Sequence, residues 1–264
     1  MALLIDSLKR ILVLINPKSG IANSFNAIRR AMDVHWERRG AEVIYQFCQS
    51  KEDAEAKTRR AVEAGLDAIF VCGGDGTVSS IGRVLMGSNV SMGVIPCGSG
   101  NGFGRHFGIP LSPPKAVAAL AESIVSTIDV GTVNGVPFLI TCSMAWDASI
   151  VRSFEKMPVR GFIPYLFAGA YELLDYEPQE MEIELDNGEK HQFPDPVVFT
   201  VANLSQYGGG TKIAPHADPA DGMLELVVCR HRDMPLLLAS AVRFFDGSIA
   251  KIPQVFFRSL RKWL

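Results

Sequence analysis

The chain has 264 residues, 48% of them hydrophobic and 20% charged, with a net charge of −2 and a pI near 6.2. That is enough chain for one large core or two small ones. It has no basic stripe of the kind that binds nucleic acid, so no nucleic-acid partner is expected and any phosphate must be gripped locally.

Five cysteines, Cys48, Cys72, Cys97, Cys142 and Cys229, form no CxxC pair. That set fits a reducing cytoplasm better than a disulfide framework. The opening MALLIDSLKRILVLIN carries Asp6, Lys9 and Arg10 in its middle, unlike a secretory leader. No stretch reaches ~18 uncharged apolar residues, so no membrane-spanning helix is expected.

Residues 11–15, ILVLI, read as a buried strand ending at Asn16-Pro17-Lys18-Ser19-Gly20. Phe25, Ile28, Met32 and Trp36 recur at helical spacing and predict a helix over 23–39. A second strand covers 41–47. Ser50 reads as the N-cap of a helix through Ala64, with Asp53 in a partial capping box. A third strand follows at 67–72, a helix from Val78 to Met86, a fourth strand at 92–97, and a proline-led helix from Pro113 to Ser123. These strands are continuous apolar runs alternating with helices, the pattern of a parallel sheet covered on both faces.

The character changes after Ile128-Asp129-Val130-Gly131. Short strands broken by turns follow, and Asn134-Gly135 and Asn187-Gly188 each sit between strand-like runs as hairpin signals. A helix is expected at about 163–174 and another over 234–245. The expected organisation is an α/β nucleotide-binding domain over 1–131 and a mostly antiparallel, β-rich second domain over 132–264.

Three turns of the first domain share one grammar of apolar strand, glycine-rich turn and helix: NPKSG (16–20), GGDGT (73–77) and PCGSGN (96–101). At the carboxyl edge of a parallel sheet such turns line a ligand site. Glycines let backbone approach a ligand, and helix N-termini favour anions. Lys18, Ser19, Thr77 and Ser99 could donate to phosphate oxygens. The chain lacks GxxxxGK[ST], so it is no P-loop protein. GSGNGFG superficially suits a dinucleotide fingerprint, but no acidic partner follows at the expected distance. Asp75, between Gly74 and Gly76, reads as a carboxylate with no side-chain neighbours to shield it. Beside phosphates it would need a divalent cation, which points to Mg²⁺ and phosphoryl transfer.

GGDGT, PCGSGN and IDVG (128–131), in that order, resemble the lipid kinases related to diacylglycerol kinase and sphingosine kinase, especially the soluble bacterial type. FLITCSMAWDASIV (138–151) and APHADPADGMLELVV (214–228) resemble two later stretches of that family. GGDGT alone would also suit an NAD kinase. The resemblance implies a three-layer α/β nucleotide domain resembling NAD kinase, then a β-sandwich-like domain, with the active site between them. It implies ATP as donor, Mg²⁺, and a lipid hydroxyl, of diacylglycerol or a sphingoid base, as acceptor.

Carried over residue by residue, the nucleotide site is expected at Asn16, Pro17, Lys18, Ser19, Gly20, Gly73, Gly74, Asp75, Gly76, Thr77, Gly98, Ser99 and Asn101. Metal is expected at Asp75 and Asp129 through water, and at Asp221 with help from the Asp218 and Met223 neighbourhood. The chain departs from the family in having Ser79-Ser80 after GGDGT, and Gly102 where many diacylglycerol kinases carry an aspartate. The family's acidic general base falls beyond Leu264, so the second domain is expected to lack its C-terminal end. The chain as printed is expected to bind ATP and transfer phosphate slowly or not at all. Asp75 is the in-chain candidate for the catalytic base.

Phe162, Pro164, Tyr165, Leu166 and Phe167, with Arg160, are candidates for an acyl-chain slot, or else pack a helix core. Trp263, with Arg258, Arg261 and Lys262, reads as an interfacial anchor or as part of a solvated final helix. The expected location is cytoplasmic and peripheral to the membrane, with a homodimer as a further expectation. The readings kept beside the lipid kinase are a kinase for a soluble acceptor such as NAD, and a nucleotide-binding protein without turnover.

Overall fold

The computed structural model describes residues 8–19, 24–146, 148 and 176–261. The expected helix at 163–174, the acyl-slot candidates, Gly20, Lys262 and Trp263 lie outside them. The chain divides into two compact units, residues 1–127 and 128–264.

In the first unit, strands β1 (Arg10–Ile15), β2 (Glu42–Phe47), β3 (Ala68–Gly73) and β4 (Ser91–Pro96) form a parallel sheet in the order β2-β1-β3-β4. Every residue of β3 is buried, as are all but the first of β1. That explains their unbroken apolar sequences, because helices cover both faces of a parallel sheet.

The helices are α1 (Phe25–His35), α2 (Lys51–Glu63), α3 (Asp75–Leu85), α4 (Gly102–His106) and α5 (Pro113–Leu120). Ile28 and Met32 bury the inner face of α1, and Trp36 packs edge-on against Phe70 of β3. Ser50 caps α2 by accepting the Asp53 amide proton, while Asp53 reaches back to the Gln49 amide rather than to Ser50. The capping box is therefore closed one residue early. The helix expected to end at Ser123 stops at Leu120, where the bonds tighten from i−4 to i−3 spacing.

The second unit opens with a hairpin of β5 (Gly131–Val133) and β6 (Val136–Phe138). Asn134 and Gly135 both take positive φ, 49° and 75°, as a two-residue primed turn requires. Strand β7 (Thr141–Ser143) follows, then a second hairpin, β8 (Met181–Glu184) and β9 (Lys190–Phe193), turning at Gly188 with φ 79°. After β10 (Pro196–Ala202) comes a short ribbon of β11 (Gln206–Gly208) and β12 (Thr211–Lys212), then β13 (Leu224–Arg230). The main sheet is antiparallel, in the order β14-β13-β10-β7, with β14 spanning Phe256–Leu260.

Both faces of this sheet are covered. Leu224, Leu226 and Val228 of β13 pack with Ile183 and Phe193 of the second hairpin. Val227 and Cys229 point the other way, towards Leu237 and Ile249. This two-sided burial is why LELVVC only half alternates.

Two expectations give way here. The single helix over 234–245 is instead α6 (Met234–Ala239) and α7 (Arg243–Asp246). Backbone bonds shorten to i−3 spacing between Ser240 and Phe245, where Ser240 and Val242 are weak helix formers. The solvated final helix is also replaced. Phe256 to Leu260 add a strand to β13, and Phe256 and Leu260 enter the core with Arg258 exposed between them. Pairing with β13 lets Phe256 and Leu260 reach the core while the strand's backbone groups on that side are bonded.

Candidate nucleotide and phosphoryl-transfer site

In the first sheet Ile15 lies beside Cys72 and Gly73 beside Pro96, so β1, β3 and β4 end at one edge. The chain leaves β1 towards β2 on one side and leaves β3 towards β4 on the other. The crevice between the ends of β1 and β3 is therefore the topological switch point, where open α/β sheets bind ligands.

Asn16 bridges that crevice. Its backbone N–H donates to the Cys72 carbonyl at 2.9 Å. Its Nδ2 donates to Thr77 Oγ1 at 2.8 Å, and its Oδ1 accepts the Lys18 amide proton at 3.0 Å. One side chain thus ties the 16–19 turn to the 73–77 turn. Pro17 and Lys18 are exposed and Ser19 is half-buried.

The glycines divide by purpose. A Cβ on Gly73 would sit 2.7 Å from Thr77 Cβ, and one on Gly98 would sit 2.5 Å from Gly74 Cα. Gly73 leaves room for the Thr77 side chain, and Gly98 lets two turns touch backbone against backbone. Gly76 is different: a Cβ there would meet nothing within 4 Å. Its bareness serves no internal contact and leaves open space over the first turn of α3.

Helix α3 begins at Asp75, three residues before the expected Val78, with Gly74 as its N-cap. The expectation of an unshielded Asp75 is also corrected. The residue is half-buried, and its Oδ2 and Oδ1 accept the Gly102 and Phe103 amide protons at 2.8 and 3.0 Å. It satisfies donors at the start of α4 that have no partner within that helix. Burial pushes its pKa above the usual aspartate range, against the opposing pull of those N–H bonds.

Asn101 has φ 53°, and its amide is used within its own turn. Oδ1 accepts from Gly98 N at 2.8 Å, and Nδ2 donates to Gly98 O at 2.7 Å. Its position shapes the loop that exposes Ser99 and half-buries Gly98. Cys72 lies at the end of β3, with Cys97 and Cys48 just past the ends of β4 and β2. Burial pushes the Cys48 and Cys97 thiols up to about 11 and Cys72 well above its ordinary value.

In the second unit, Asp129 Oδ2 accepts the Gly222 amide proton at 2.7 Å, and its own N–H donates to the Pro219 carbonyl at 2.6 Å. Asp129 is thereby fixed to the 218–223 turn. Asp218 and Asp221 are exposed, and each closes a local turn, accepting from Ala220 N and Met223 N respectively. Met223 is half-buried.

Sequence reasoning missed Asn203. It is 1% exposed and donates from Nδ2 to the carbonyls of Asp129 and Leu139, both at 2.9 Å. An asparagine at the end of the apolar run PVVFTVAN was the available signal. The glycine triplet 208–210, positive in φ at all three positions, was also passed over.

Among the described residues, no three His, Cys, Asp or Glu side chains gather as a cation-holding group. Asp75 and Asp129 each keep lone pairs beyond their N–H bonds. Each by itself offers the single carboxylate that a Mg²⁺ ion arriving with nucleotide phosphates can use. Such a site is no preformed protein cage.

The first unit is thus a parallel sheet with three small-residue turns along one edge, and the second is an antiparallel, sandwich-like unit. The family description "Diacylglycerol kinase catalytic domain" matches residues 10–133, and "YegS C-terminal NAD kinase beta sandwich-like domain" matches residues 141–262. The chain belongs to the diacylglycerol kinase family, whose members are phosphotransferases acting on an alcohol group.

A diacylglycerol kinase of Mycobacterium tuberculosis (strain ATCC 25618 / H37Rv) is 30% identical over 253 residues, covering 93% of this chain and 81% of that one. The diacylglycerol kinase of Bacillus subtilis (strain 168) is 28% identical over 248 residues, covering 91% and 80%. A crystal structure of a diacylglycerol kinase from Bacillus anthracis str. Sterne superposes with a TM-score of 0.71 at 20% identity, over 96% of this chain and 84% of that one. The fold class and family expected from the motifs agree with these matches.

Proposed function

We propose that the protein is an ATP- and Mg²⁺-dependent lipid kinase that phosphorylates a lipid hydroxyl, of diacylglycerol or a sphingoid base. The observation that carries this reading is the bridge at the switch point. Asn16 and Thr77 join two of the three small-residue turns, with the open Gly76 beside them.

In this reading the turns at 16–20, 73–77 and 98–101 hold the nucleotide phosphates through backbone N–H groups, Lys18, Ser19, Thr77 and Ser99. Asn101 contributes by shaping the third turn. The acceptor oxygen attacks the γ-phosphorus, the bond to the bridging oxygen breaks, and ADP leaves. The acceptor proton passes to a carboxylate. Asp75 is the in-chain candidate, as the carboxylate at the first residue of α3 beside the bridged turns. Asp75 and Asp129 are the carboxylates proposed to hold Mg²⁺, with Asp221, Asp218 and Met223 serving a further cation. Bound Mg²⁺ would neutralise charge on the transferring group.

Among the described residues no helix is long and apolar enough to cross a membrane. In this reading a cytoplasmic enzyme meets its lipid at the bilayer surface, peripherally bound.

The test is labelled ATP and Mg²⁺ with diacylglycerol, sphingosine, ceramide and NAD in parallel. Label is expected in a lipid product and lost in Asp75→Ala, with circular dichroism reporting the fold. Label in NAD alone, or full lipid phosphorylation by a folded Asp75→Ala protein, would overturn the assignment.

A further inference from the structure

The segment after β13 carries apolar side chains that, among the described residues, join none of the cores given above. Leu237 is its inward anchor, 6% exposed in the second-unit core. Around it Leu236, Leu238, Val242 and Phe245 stand 38%, 65%, 73% and 45% exposed. Single exposed apolar residues are ordinary, but four within ten residues of one short helical segment are not.

The charge around this face runs against the charge of the chain. The whole protein carries −2, whereas residues 230–251 hold four basic side chains against two acidic ones. Both acids are engaged: Asp233 pairs with Arg230, and Asp246 accepts from Ser248 N with Arg243 nearby. Arg243 and Lys251 remain exposed on the same segment. Exposed apolar side chains beside Arg243 and Lys251, with Asp246 the exposed acid among them, leave a net positive face that matches an interfacial helix lying on an anionic bilayer.

We propose that α6, α7 and the turn between them form the face that docks this protein on an anionic lipid membrane. Leu238, Val242 and Phe245 enter the acyl boundary, and Arg243 and Lys251 meet the headgroups. The inference rests on the lipid-acceptor reading above, because a membrane-borne acceptor gives such a face its use.

The experiment is co-sedimentation of the 264-residue chain with phosphatidylglycerol-containing vesicles and with pure phosphatidylcholine vesicles. Wild type should partition onto the anionic vesicles and be released by high salt. Each lost basic residue should weaken binding about fivefold, from about 1 kcal/mol per cation at an anionic surface. Leu238→Glu/Val242→Glu and the milder Leu238→Gln/Val242→Gln should both abolish partitioning with thermal unfolding unchanged, since these side chains are exposed. Phosphorylation of a water-soluble short-chain diacylglycerol, without vesicles, should be unaffected. That assay tests the kinase reading by itself and separates its failure from failure of the docking face.

Equal partitioning of wild type and variants would overturn the proposal, as would wild-type binding indifferent to lipid charge and salt. So would variants that convert a dimer to a monomer in sedimentation velocity while wild type ignores vesicles. The face would then belong to a second copy of the chain.

Discussion

The two units hold their candidate residues by opposite means. In the first, position is set by close packing: Gly74 lies against Gly98, Gly73 lies under the Thr77 side chain, and no added Cβ fits at Gly73 or Gly98. In the second, position is set by aspartates folding back on nearby amides. Asp129 reaches across to Gly222, while Asp218 and Asp221 close turns of two residues. A parallel sheet delivers several strand ends to one edge, so its turns are crowded and the smallest residue is selected. An antiparallel sheet delivers one turn at a time, and each turn must be shaped from within. At the candidate residues glycine is therefore a packing residue at Gly73 and Gly98 and a conformational one at Gly222, where φ is 74°.

Gly98→Ala tests the crowded side most severely. The new methyl would lie 2.5 Å from Gly74 Cα. Overpacking of this kind costs about 1–3 kcal/mol of stability. A shift of the turn by about 1 Å should lower kcat/KM on the order of 100-fold. Urea unfolding and steady-state kinetics measure both, and a neutral variant would break the packing account.

Gly76→Ala sharpens the comparison, because Gly76 has open space around it. Alanine favours the helix by about 0.5–1 kcal/mol, so the melting temperature should hold or rise. ATP affinity should nonetheless fall on the order of tenfold, or about 1.4 kcal/mol, if phosphate approaches there. Calorimetric titration reads the affinity, and unchanged binding would remove Gly76 from the site.

Asp129 separates shape from charge in the second unit. Asp129→Ala removes the acceptor for Gly222 N and should cost about 1 kcal/mol. Asp129→Asn keeps an acceptor and should leave stability nearly unchanged. If Asp129 holds a cation, the Asn variant should still need more Mg²⁺ for half-maximal activity. Identical Mg²⁺ dependence would leave Asp129 with its turn-holding role alone.

The smallest effect expected is the pH dependence of Asp75. Its folded pKa is raised, so the folded state holds the proton more tightly than the unfolded chain. Ionising it works against folding, and that cost appears as pH climbs from about 3.9, the ordinary aspartate value, to the higher folded value. Wild type should lose stability relative to Asp75→Asn across that window, then run parallel to it. A relative gain with rising pH would mean that the Gly102 and Phe103 bonds outweigh burial.

The first unit was legible because a buried parallel strand writes itself as an apolar run and its turn as a glycine cluster. NPKSG, GGDGT and PCGSGN could be put on one edge before any coordinates. Their internal contacts could not. Nothing local in the sequence says that Asp75 spends both oxygens on amides 27 and 28 residues later, or that Asn101 folds onto Gly98. Such contacts depend on strand register, which the pattern leaves open. The second unit misled at its end. The run from Met234 to Phe245 is apolar on every side, so periodicity could not mark where α6 stops. FFRSL reads as tail until β13 offers it an edge.

The thiols at the carboxyl edge have a practical consequence. With pKa values near 11, Cys48 and Cys97 expose only about one thiolate in ten thousand at pH 7. Alkylating reagents should therefore react with them mainly during brief openings of the strand ends. The labelling rate of Cys97, one residue past β4 and directly before the Gly98 turn, becomes a clock for how often that turn comes loose. A nucleotide clasped by the turn should slow the clock.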